Sequence, residues 1–123
     1  GTDVALVTVG TVGNAAARAA ERAAAKGVSV AHYDLRFAKP LDEALLAGVG
    51  AEFRHVVTVE DGSLRGGVGE AVTAFFNARC CEVAVHSLGI GDEWVEHGTP
   101  GQLYALCGYD EEGILRALLD TRA

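Results

Sequence analysis

The residues with the most chemistry to offer lie together in the stretch Thr58-Val59-Glu60-Asp61-Gly62-Ser63-Leu64-Arg65-Gly66-Gly67-Val68-Gly69. Adjacent carboxylates such as Glu60 and Asp61 could form a general acid/base pair or hold a cation. Gly66, Gly67 and Gly69 let backbone come close to something, and a glycine-rich turn before a helix could cradle a phosphate. Each feature also has a plainer use. A carboxylate at a strand end can accept N–H bonds from the loop that follows, and near a helix N-terminus it is stabilised by about 0.3–1 kcal/mol. Glycines at a helix start also permit close helix–strand or subunit packing. No second acid, base or nucleophile converges on the acidic pair in sequence. Val68, Glu70 and Ala71 stand where a phosphate-binding loop would need Lys and Ser or Thr, so nucleotide hydrolysis is not expected. Glu60, Asp61, Gly66, Gly67 and Gly69 are therefore expected to be structural or interface residues.

A second place invites a dinucleotide test. An apolar run ends at Val9, Gly10 and Gly13 follow, and Asp34 stands about twenty residues on, where such a site uses an acid on a ribose hydroxyl. The full G-x-G-x-x-G pattern is missing, because Thr11 and Val12 separate the two glycines. A tight strand-to-helix turn without a ligand is the expectation.

Positioning these residues requires strands and helices in alternation. Val4 to Val9 is almost continuously apolar, as in a strand buried on both faces. A helix is predicted from Asn14 to Lys26, with a polar stripe and many alanines small enough to lie close to a sheet. Gly27 ends it as a C′ residue. A strand over Val28–Tyr33 and a connection over Leu35–Pro40 follow. Asp42 is predicted to cap a helix through Val49. A strand over His55–Val59, a helix over Val68–Ala78 and a strand over Glu82–Leu88 come next. Gly89–Gly98 reads as an acidic loop carrying Trp94. Thr99-Pro100-Gly101-Gln102 reads as a capping box opening a short helix to Cys107. Asp110 is predicted to cap a last helix to Leu119. Alternation with short connections argues for a parallel sheet covered on both faces, within one domain spanning residues 1–123.

Composition removes several classes of function. The net charge is −7, with ten Lys and Arg among seventeen acids, and no basic face can form for a phosphate backbone. Nucleic acid is therefore not an expected partner. No apolar run reaches the ~20 residues of a membrane span. The opening residues lack the pattern of a secretory signal. Cys80, Cys81 and Cys107 form an odd, unpatterned set, expected to be reduced thiols in a cytoplasmic protein. The four histidines lack metal-site spacing, so no metal site is expected. Phe75 and Phe76 cannot face the same way on one helix, so core packing is expected for at least one of them and an outward, partner-facing position is open to the other.

Three segments together, Arg36-Phe37-Ala38-Lys39-Pro40-Leu41-Asp42, Thr58-Val59-Glu60-Asp61-Gly62 and Gly66-Gly67-Val68-Gly69, resemble the C-terminal domain of transketolase-like enzymes. Leu88-Gly89-Ile90-Gly91-Asp92, Val95-Glu96-His97-Gly98-Thr99-Pro100, Leu103-Tyr104 and Gly108-Tyr109-Asp110 narrow the resemblance to the 1-deoxy-D-xylulose-5-phosphate synthase family. The motifs cover nearly the whole chain in the right order. The β subunits of 2-oxoacid dehydrogenases share the Val-Glu-acid-Gly and Gly-Thr-Pro patterns less closely. The resemblance implies a three-layer α/β/α fold, with a four-stranded parallel sheet in the order 2-1-3-4 and without the family's first, antiparallel strand. It implies a fragment of a larger enzyme that condenses pyruvate with glyceraldehyde 3-phosphate on thiamine diphosphate and magnesium, losing carbon dioxide. The family's cofactor motif and activating glutamate belong to other domains, so no catalytic, cofactor-binding or metal residue is carried over. The domain is expected to contact other domains and a second subunit of a homodimer. Trp94 and His97 join the five residues above as structural or interface candidates. A small-ligand or nucleotide-binding module, using the crevice between Gly10–Asn14 and Asp61–Gly69, and the C-terminal domain of a 2-oxoacid dehydrogenase β subunit remain the competing readings.

Overall fold

The computed structural model describes residues 1–10, 12–35, 42–63, 67–90 and 110–121. In chain order the elements are β1 (Val4–Val9), α1 (Gly13–Ala25), β2 (Val30–Leu35), α2 (Glu43–Glu52), β3 (His55–Ser63), α3 (Val68–Ala78), β4 (Ala84–Ile90) and α4 (Glu111–Asp120). The strands form one sheet in the order β2-β1-β3-β4, and every neighbouring pair is parallel. Sheet order and the α/β class are those the sequence led to expect. Gly66, Trp94, His97, the connection after Leu35 and the helix predicted to open at Thr99 lie outside the described residues.

Side-chain alternation on the strands builds two cores. Val4 and Leu6 of β1 and Val57 and Val59 of β3 point to one face, where α1 and α4 cover them. Ala5, Val7 and Val56 point to the other, under α2 and α3. Burial on both faces is why Val4–Val7 are apolar at every position, each at most 1% exposed. Ala16, Ala19 and Ala23 of α1 are fully buried, and their single methyl groups bring that helix close to the sheet. On α2, Leu46 and Val49 take the inward positions.

Polar residues set the ends of the helices. Asp42 accepts the Leu45 N–H at 3.0 Å and Asp110 accepts the Gly113 N–H at 2.9 Å, each satisfying an amide that the helix leaves open. Gly27 follows α1 with φ 90°, in the left-handed region that ends helices. Past α3 that position falls to Cys80, at φ 56°. The strand limits differ from those predicted. β2 starts at Val30, because the Val28 N–H is used on the Ala23 carbonyl to close α1. It runs on to Leu35, because Asp34 and Leu35 keep pairing with Thr8 and Val9. β4 starts at Ala84, since the Val83 N–H turns back to Cys81. β3 continues past Val59 through a register irregularity to Ser63, which pairs with Ile90.

Candidate functional site

Glu60 pairs with Val9 near the carboxyl end of β3, and alternation puts Thr58 and Glu60 on the α2/α3 face, in line with Val56. Glu60 is 5% exposed. Its Oε2 accepts the Val68 N–H at 2.5 Å, at the first residue of α3, and the Gly69 amide also reaches the carboxylate. The N-cap of α3 is Gly67, in extended conformation and without a side chain to cap with. The Glu60 carboxylate, seven residues upstream, takes that task. Burial pushes the Glu60 carboxyl above its ordinary range, and the two amides pull it back only in part. Oε1 is buried and has no hydrogen-bond partner among the described residues, and the same holds for the Thr58 hydroxyl.

Gly69 explains why this corner demands glycine. A Cβ there would stand 2.3 Å from the Ser87 Oγ and 2.7 Å from the Thr58 Oγ1. Thr58 and Ser87 are partners in register on β3 and β4, so the first turn of α3 rests directly on a cross-strand hydroxyl pair. Of the sequence candidates, the structure brings together Glu60, Gly67 and Gly69.

On the opposite face lies a polar group the sequence motifs did not single out. Thr8 of β1 is fully buried. Its hydroxyl donates to the Asp34 Oδ1 at 3.2 Å and lies 2.8 Å from the His32 Nε2. With the hydroxyl proton committed to Asp34, the His32 Nε2–H is the donor in the second bond. Burial pushes the His32 imidazole below its ordinary value, with the Asp34 charge acting the other way. The signal available in sequence was weak: His32 and Asp34 alternate onto one face, and only the register of β1 with β2, which sets Thr8 beside Asp34, completes the group. Asp34 Oδ2 would lie 3.7 Å from a Cβ at Gly13, so the acid leans over the start of α1. Val12, the N-cap of α1, makes no side-chain capping bond.

The sheet separates the two groups. Thr8, His32 and Asp34 face α1, and Thr58 and Glu60 face α3, so Asp34 and Glu60 do not converge on one reacting atom. No group of three His, Cys, Asp or Glu side chains among the described residues gathers so as to hold a metal ion. No helix among them is long and apolar enough to cross a membrane. At the start of α3 a buried carboxylate already holds the first amides. A diphosphate at these amides would have to displace the Glu60 carboxylate.

These layers and this strand order define a doubly wound α/β domain. The family model for the C-terminal domain of transketolase matches residues 1–114. The chain belongs to the transketolase C-terminal domain family. It is 52% identical to the 1-deoxy-D-xylulose-5-phosphate synthase of Bacteroides fragilis over 99% of its own length and 19% of that protein's. With the same-named protein of Anaeromyxobacter it shares 46% identity over 94% of the chain and 19% of the relative. Among solved structures, a split-gene transketolase, described as an inactive beta4 tetramer, superposes with a TM-score of 0.90 at 29% identity, covering 98% of this chain and 39% of the other. The chain spans about a fifth of the length of the curated relatives it matches.

Proposed function

We propose that residues 1–123 form a single, non-catalytic C-terminal domain of a thiamine-diphosphate-dependent 1-deoxy-D-xylulose-5-phosphate synthase. The observation that carries this reading is the similarity itself: relatives 40–52% identical over nearly the whole chain bear that one name, and the chain matches about a fifth of each. The whole enzyme would condense pyruvate with glyceraldehyde 3-phosphate, with loss of carbon dioxide, supplying isoprenoid and thiamine synthesis in the cytoplasm. Thiamine diphosphate and magnesium would be held by its other domains, where the family resemblance puts the cofactor motif and the activating glutamate.

In this reading the domain contributes surface and rigidity. Glu60, Gly67 and Gly69 hold α3 to the sheet, and Asp61 and Gly66 are assigned a structural or interface role beside them. Trp94 and His97 belong to the contacts with other domains of the enzyme or with the second subunit of a homodimer. The names of the relatives favour this synthase over the 2-oxoacid dehydrogenase β subunit. The same names favour it over a stand-alone small-ligand module.

A domain exchange tests the proposal. This chain replaces the matching segment of the Bacteroides fragilis relative, and product formation from pyruvate and glyceraldehyde 3-phosphate is followed with thiamine diphosphate and magnesium present. The chimera is expected to turn over, and the isolated 123-residue chain to show none. A folded, correctly assembled chimera without activity, or turnover by the isolated chain, overturns the assignment.

A further inference from the structure

We draw no further inference here: the strongest candidate, the hollow of about 190 Å³ that His55, His86 and Asp120 line between the first residues of β3 and β4 and the last turn of α4, does not bring those three side chains together as a metal-binding group, and nothing in the structure shows what fills or covers it.

Discussion

Glu60 and Asp34 occupy comparable places, each near the carboxyl end of a parallel strand and beside the start of a helix, yet the fold uses them differently. Glu60 is sealed between β3 and α3 and accepts amides that would otherwise be orphaned. Asp34 is exposed on the outer strand β2, and the bond it accepts comes from a threonine hydroxyl. A buried acceptor cannot be removed without stranding its donors, at roughly 1–3 kcal/mol, whereas an exposed one is replaced by water. An acid at the end of a strand is thus weak grounds for chemistry until its burial and its partners are known. At α3, Gly67 and Gly69 of the suggested phosphate cradle are bound up with capping and packing.

The largest effect is expected where α3 touches the sheet. Gly69→Ala drives a methyl group into two hydroxyls on short, strand-anchored side chains, and overpacking of this kind costs about 1–3 kcal/mol. Urea denaturation should show a loss near the top of that range, partly recovered in Gly69→Ala/Ser87→Gly. Wild-type stability in the single variant would mean that α3 does not press on β3 and β4.

Replacing each acid separates the two regions next. Glu60→Ala should cost about 2 kcal/mol by leaving buried amides unpaired, and Asp34→Ala should cost clearly less, because the Thr8 hydroxyl keeps the His32 Nε2 as a partner. Equal losses would erase the distinction. Glu60→Gln keeps an acceptor for the amides and should cost less than Glu60→Ala. Because burial raises the folded-state pKa of Glu60, its titration favours the fold below the unfolded value near 4.5 and takes that benefit away as pH rises through the folded value. Wild type should therefore lose ground to Glu60→Gln across that rise.

His32 titrates with the opposite sense. Its folded-state pKa is lowered by burial, so its contribution is present above the unfolded value near 6.5 and is lost as pH falls through the folded one. Between pH 7 and pH 5 wild type should lose more stability than His32→Gln, which keeps a donor for Thr8 without titrating. Parallel pH profiles for the two proteins would remove the imidazole from the account.

The sequence was most legible where one residue type settles a local question. Asp42 and Asp110 read as helix caps because a short acceptor ahead of an apolar pattern has little else to do, and both accept the amide three residues on. The run Val4–Val9 read as a central strand because it must be apolar on both faces. The order 2-1-3-4 came from family resemblance, since parallel pairing leaves no turn residues from which to read neighbours. Strand ends were misjudged by two residues at β2 and β4, where Val28 and Val83 continue the apolar pattern but use their amides on local turns. The left-handed Cys80 carried no glycine to announce it. The place of Glu60 at a strand end ahead of a helix start was legible, whereas the Thr8–His32–Asp34 group was not, because it exists only through the register of two strands distant in sequence.

The central claim is that the buried carboxylate of Glu60 is what holds the first turn of α3. Amide hydrogen exchange read by NMR, comparing wild type with Glu60→Ala under conditions where both remain folded, tests it residue by residue. Exchange at Val68 and Gly69 should accelerate roughly tenfold or more, the equivalent of about 1.4 kcal/mol in local opening, with the amides of α1 unchanged. Unaltered protection at Val68 and Gly69, or an equal rise throughout the sheet and both helix layers, would contradict the account.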